Sequence, residues 1–498
     1  MIQPEASPKP KYTLIDRSQI RLLPLDYDCL IPCSHAARGI WELLGRLNLT
    51  AFEADSRSFE GFVGRPGIAP QLLASLWIYG YSIGVASARA LERMMSWEPG
   101  LRWLCADQEV NHHTLSDFRM VQKERLDDLF RQVLAVLQGE GLVDLKIVTQ
   151  DGTKVRARAG KQSLHRRGTI EQQLALASRY MEEMDRRAEE DQAQDRRHIA
   201  AQQRTARERL QRAQAALVEV QARQQSVRPG KRAEVRVSTS ETEASKMKFS
   251  DGAYAPGRNV QFSTDAKAGV IVAVHVSTAP TDMAELEPAL AQIAENCGRK
   301  PDCLLADNGY VSRENVEAMA QECVEFVAPW KDTPSRQAGA CATNGIDVNF
   351  SPSVFVWDGQ ARVFVCPAGK VLTHTGVVTS HGQKRDVFSA AREDCAECAF
   401  KDRCCGKTGA PRSLRRTIES PAMLAHLERM SRPETKALYK KRSVVAETPH
   451  MRIKENWGWR RFSVRGLARS AKEAIWVAIA YNVHVWTRFR RIQQPVAA

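Results

Sequence analysis

No stretch of this chain approaches the roughly 20 uninterrupted apolar residues that a membrane-crossing helix needs, and the N-terminal MIQPEASPKPKYTLIDRSQI lacks the apolar segment of a secretory signal. These absences point to a cytoplasmic protein with no membrane partner. Cysteine is scarce, 12 in 498 residues, and thinly spread apart from one cluster. In a reducing compartment that pattern excludes a disulfide scaffold and leaves most thiols as small buried apolar groups. Acidic residues are in deficit: 72 Lys and Arg face 58 Asp and Glu, a formal net charge of +14. The surplus favours polyanionic partners without choosing among DNA, RNA and a membrane surface. Glycine and proline are missing altogether from 169–228, a stretch rich in Ala, Glu, Gln and Arg that is therefore expected to be strongly helical.

What is present changes texture along the chain. Residues 1–34 read as an irregular arm and 35–142 as a helical N-terminal domain, a candidate for DNA binding. Its last stretch, from Thr114 to Gln138, carries Leu115, Phe118, Met120, Leu126, Leu129, Phe130, Val133 and Leu137 largely at helical spacing, with Ser116 or Thr114 as a cap. In 143–168 the run Leu145, Ile147, Val148 ends at Asp151 and Gly152, as a strand entering a turn does. Seven basic residues surround that acid: Lys146, Lys154, Arg156, Arg158, Lys161, Arg166 and Arg167.

The segment 169–230 is an inserted coil. Leu174, Met181 and Ala188 fall seven apart, as do Ile199, Ala206, Ala213 and Val220, but the two registers differ by 25 residues. Either one helix with a stutter or two helices packed as a hairpin satisfies that offset. Across 231–334 the pattern is hairpin, helix, strand, helix: VQFSTDAKAGVIVAVHVS, DMAELEPALAQIAEN, then CLLADNGYVS with Asp307 ending the strand, then a helix capped by Ser312. Asp282 reads as a helix N-terminal residue and Asp265 as turn chemistry. Residues 335–415 are loop-rich and hold the cysteine cluster. Residues 416–498 are helical; between Lys436 and Lys472 they carry 11 basic residues and two acids, Glu447 and Glu455, and they end in an apolar helix from Ala474 to Trp486.

Phosphodiester cleavage calls for charge stabilisation on the attacking and leaving oxygens, which two magnesium ions about 4 Å apart supply when carboxylates hold them. Magnesium takes oxygen ligands and keeps positions open for phosphate. A few acids at strand ends or on an adjacent helix, in otherwise basic surroundings, suit that task, and Asp151, Asp307 and Glu447 answer the description. Single acids after strands are also common as turn residues and caps.

The strings QDGTKVRA, LLADNGY and YKKRSVVAETPHMRIKENWGWRRFSVRG closely resemble conserved blocks of bacterial insertion-sequence transposases with a DDE triad. The resemblance spans most of the chain and implies an α/β fold with an RNase H-like mixed sheet as core. It places Asp151 on the central strand, Asp307 at the end of a later one and Glu447 on a helix, holding Mg2+ or Mn2+. The last block resembles the family's Tyr, Arg, Glu and Lys signature, here Tyr439, Arg442, Glu447 and Lys454, with four residues between Arg442 and Glu447 where the broader pattern has three. Lys454 lies seven residues after Glu447, which on a regular helix is the same face. Together with Lys154, Arg460, Arg461 and Arg465 it is expected to contact DNA phosphates. Trp457 and Trp459 suit either base stacking or core packing, and Arg258 and Asn259 are further candidate phosphate contacts.

Cys366, Cys395, Cys398 and Cys404, with Cys405 as a substitute, form a cluster in which four thiolates can close a tetrahedral Zn2+ site. Related transposases carry a similar segment. The implied partners are double-stranded DNA, as terminal inverted repeats and target, and a second copy of the chain as a homodimer in the DNA complex. Two other readings fit the composition: a nuclease or resolvase without strand transfer, and a catalytically silent DNA-binding regulator.

Overall fold

A computed structural model describes residues 26–54, 66–190, 196–330, 334–380 and 383–493 of the chain; most of the arm expected over 1–34 lies outside them. Six helices come first: α1 (Ala36–Leu44), α2 (Pro70–Ser82), α3 (Ala88–Met94), α4 (Pro99–Cys105), α5 (His112–Arg119) and α6 (Lys123–Gly139). The stretch from Thr114 to Gln138 is thus two helices. Asn111, rather than Ser116 or Thr114, caps the first, its side-chain oxygen accepting from the Thr114 amide at 2.8 Å. The break lets α6 turn Leu126, Leu129, Phe130, Val133, Leu134 and Leu137 inward along one face.

Strand β1 (Ile147–Arg156) follows, then short β2 (Leu164–His165). The glycine-free segment forms α7 (Arg167–Glu190) and α8 (Arg196–Ser226), which answers the stutter-or-hairpin question in favour of a hairpin. Met181 and Met184 meet Ala206, and Ile170 meets Ala216 and Val220 across it. Next come β3 (Val237–Ser238), β4 (Ser245–Lys248), β5 (Tyr254–Asp265), β6 (Ile271–Ser277), α9 (Leu286–Cys297), β7 (Cys303–Ala306), α10 (Arg313–Gln321), β8 (Glu325–Val327) and α11 (Pro334–Thr343). Ser312 caps α10 as expected, accepting from the Asn315 amide.

The main sheet runs β4, β5, β1, β7, β8, with β6 also paired to β5. β5 lies antiparallel to β1 and to β6, whereas β1, β7 and β8 are parallel. This mixed order around a central β1 is the arrangement expected of an RNase H-like core. Beyond it, β9 (Val356–Asp358), β10 (Val363–Val365), β11 (Val371–Ser380), β12 (Gln383–Ala390) and β13 (Ser413–Thr417) form a second sheet, with α12 (Arg392–Ala396) and α13 (Lys401–Cys404) between the last two strands. Its own small core is Phe355, Leu372, Phe388, Ala390 and Leu414. The chain ends in α14 (Pro421–Ser431), α15 (Pro433–Lys440), α16 (Arg442–Met451), a π-helical turn over Arg452–Asn456, and α17 (Leu467–Gln493).

The N-terminal helices, the main sheet and α17 share one continuous apolar core. Trp476, Ile479 and Trp486 of α17 are buried there together with Leu43, Trp77 and Leu129. Asn482 joins α17 to the sheet, accepting from the Ile271 amide at 2.9 Å and donating to its carbonyl at 2.8 Å. A buried polar knot lies nearby. The Glu473 carboxylate accepts from Trp459 Nε1 at 3.0 Å and from the amide and hydroxyl of Ser463, while Arg119 of α5 donates to that hydroxyl at 2.8 Å. Burial pushes the Glu473 carboxyl up, with Arg119 and these donors opposing. Trp457 and Trp459 are both buried, so they pack the interior and do not stack on bases.

Candidate active site

Register builds the site. β1 and β7 run parallel with Gln150 opposite Ala306. The next residue on each is Asp151 and Asp307, so two carboxylates fall side by side where β7 stops, on strands about 4.8 Å apart. Asp151 remains within β1 and its amide neighbour Gly152 donates to Oδ1 at 3.0 Å. Asp307 turns out of β7, its Oδ1 accepting from the Gly309 amide at 2.7 Å.

Burial raises the Asp151 carboxyl to about 6; Arg442 opposes the rise, and the charges of Asp307 and Asp282 add to it. The nitrogen groups beside it come from α16. Arg442 Nη1 stands 3.8 Å and His450 Nε2 3.6 Å from Asp151 Oδ2, both too far for a hydrogen bond. Arg442 Nη1 and both ring nitrogens of His450 are buried without a hydrogen-bond partner. Burial, with Lys454 and Arg442 nearby, lowers His450 to about 4, so its imidazole is neutral.

Glu447 lies on the same helix between these two residues, but exposed to solvent and without an ion pair among the described residues. One helical turn separates it from His450. Tyr439 packs against Cys303, Leu305 and Val327, and the Arg442 guanidinium lies 5.8 Å from its ring centre.

Lys454 is not where a regular helix would put it. The π-helical turn after Met451 breaks the α-helical phase, and Lys454 Nζ donates to Thr153 Oγ1 at 2.7 Å and to the Lys154 carbonyl at 3.2 Å. It ties the helix to β1, and burial lowers its pKa. Arg460 is ion-paired with Glu455, Arg461 is exposed beside Arg156, and Arg465 Nε lies 3.4 Å from the Arg158 carbonyl. Lys154 is half-buried on β1.

Three residues read otherwise in the sequence take new places. Asp282 does not start a helix; its Oδ1 accepts from Asn259 Nδ2 at 2.7 Å and Gln261 Nε2 at 2.8 Å. That carboxylate sits against Gly152, where any β-carbon would collide with it and with Gln261. Asn259 is therefore committed to Asp282. Arg258 is completely buried and paired with Glu241 at 2.6 Å, so neither can reach a phosphate. Asp282 is the polar residue whose place the sequence misread, and buried Glu473 is one that it did not single out. The alternating polar residues of β5, Asn259, Gln261 and Ser263, are the signal that a carboxylate docks there.

Cys366, Cys395, Cys398, Cys404 and Cys405 line one small cavity against the second sheet, and burial pushes the Cys404 thiol up to about 11. Among the described residues no group of three or more His, Cys, Asp or Glu side chains stands in metal-holding geometry. No helix among them is long and apolar enough to cross a membrane.

Residues 365–486 match the family model of a transposase DDE domain, and residues 26–120 that of a transposase domain. Two stretches of the chain are thus similar to transposase domains. The first match covers Glu447 and the cysteines; Asp151 and Asp307 lie outside it. No curated protein and no solved structure matches the chain. A transposase acts on DNA, and a DDE domain implies a metal-dependent DNA-cutting enzyme.

Proposed function

We propose that this chain is a DNA transposase that cuts at the ends of its own element and joins the freed 3′-hydroxyls to target DNA, with Asp151, Asp307 and Glu447 holding Mg2+ or Mn2+. The observation that carries the reading is the parallel pairing of β1 with β7, which sets Asp151 and Asp307 side by side; α16, the helix that bears Glu447, packs on β1. The donor set fits a hard cation. Two carboxylates, those of Asp151 and Asp307, follow paired strand positions there and offer the oxygen donors such an ion takes, Asp151 is held up by burial and by neighbouring negative charge, and the nitrogens facing it stand too far off to neutralise it by hydrogen bonding.

Once bound, the ions would stabilise charge on the attacking and leaving oxygens. The chain's own groups do the positioning. Arg442, with Nη1 unpartnered, is placed for a phosphate oxygen, and Tyr439 braces it. Lys154, Arg460, Arg461 and Arg465 form the basic rim over which backbone phosphates run. Lys454 acts by holding the helix on β1. Binding through such a rim weakens steeply with salt. Terminal inverted repeats and target DNA are the substrates, and two copies of the chain would hold the two ends.

Incubating the full chain and Mg2+ with linear DNA ending in the terminal repeats that flank its gene, plus a target plasmid, is expected to yield joined products. Nicked or cut ends with no joined product would reduce the reading to a nuclease.

The cysteine cavity is proposed to hold one Zn2+ on Cys366, Cys395, Cys398 and Cys404, since thiolates suit zinc and the segment has only a small core of its own. One equivalent of zinc in the purified chain, and a drop in thermal midpoint on chelation, are expected; a chain free of zinc and indifferent to chelator excludes it.

A further inference from the structure

We infer that His450 is a further metal ligand of this catalytic centre, a nitrogen donor beside the carboxylates; the inference rests on the metal-dependent reading above. Ala446, Pro449 and Ile453 are the buried residues of α16 and the following turn. That packing fixes His450 with its ring 5.4 Å from that of Phe262 and its Nε2 3.6 Å from Asp151 Oδ2.

The surroundings would suit a phenyl ring better than an imidazole. Both nitrogens are buried, and neither has a hydrogen-bond partner, a costly condition for a polar group. The charged groups facing it are Asp151, Arg442 and Lys454. A buried imidazole with both nitrogens unpartnered, 3.6 Å from a carboxylate oxygen, is the arrangement a divalent ion completes.

Imidazole favours manganese and later transition ions over magnesium. The chain should therefore bind Mn2+ more tightly than oxygen donors alone would. The test uses the full, DNA-free chain with Mn2+ as probe, read by calorimetry and by electron spin-echo spectroscopy. Wild type is expected to show nitrogen coupling to the bound Mn2+. His450→Phe, which fills the same space beside Phe262, is expected to lose the coupling and about ten-fold in Mn2+ affinity, with Mg2+ affinity little changed. His450→Asn is expected to lose the same coupling, and thermal midpoints close to that of wild type report intact folding of both.

Bound Mn2+ without nitrogen coupling in wild type, or coupling that survives in His450→Phe, overturns the role of His450 alone. A wild-type chain that takes up neither ion overturns the metal-dependent reading on which it rests.

Discussion

Asp151→Asn is expected to leave the chain folded and to cut DNA end cleavage by at least about a hundredfold, the scale of losing one preorganised charge-stabilising group. The same substitution should stabilise the metal-free protein. The folded carboxyl titrates near 6 against an ordinary 3.8, so between these values the native state holds a proton that the unfolded chain has released. Stability therefore falls as pH rises from about 4 to about 6 and stays lower above it. At about 1.4 kcal/mol per unit the ionised carboxylate costs at most roughly 3 kcal/mol, which asparagine does not incur. Denaturant melts of both proteins across that pH range, without divalent ions, should diverge as pH rises. Parallel curves would mean that Asp151 is not held out of water. Cleavage by wild type should climb through pH 6, because the ion competes with the proton for this carboxylate.

Glu473→Ala is expected to damage the fold strongly, costing about 1–3 kcal/mol for each buried donor it leaves unsatisfied. It strips acceptors from Trp459 and Ser463 and leaves the Arg119 charge buried without its counter-charge. Glu473→Gln, which keeps an acceptor, should lose less. Equilibrium denaturation gives both values, and a loss under about 1 kcal/mol for the alanine variant would show the knot to be incidental.

These two residues also mark what was legible in the sequence. Asp151 and Asp307 stood out because each ends an apolar β run, and strand pairing between two such runs is a local pattern read twice. Ser312 as a cap, the β5–β6 hairpin and the buried stretch from Ala474 to Trp486 were legible for the same reason. Glu473 was not, since its partners Ser463 and Arg119 come from a loop and from a helix more than 300 residues earlier. Arg258 looked like a phosphate contact until Glu241, across the whole β3–β5 connection, claimed it. Lys454 was misplaced because counting sevens assumes unbroken α-helical phase, and the segment after Pro449 and Met451 widens into a π turn. Asp282 failed in another way: proximity to a helix start suggested a cap, whereas two amides on β5 hold it against Gly152.

The shared core has a consequence for synthesis. Trp77 and Leu43 leave the ribosome long before the helix that covers them, Leu467–Gln493. Until that helix is made, the early helices keep an uncovered greasy flank, open to chaperones and to aggregation. A nascent chain cut short before that helix would lack the lid of its own interior, so a truncation ahead of Leu467 should silence the product as surely as loss of an aspartate.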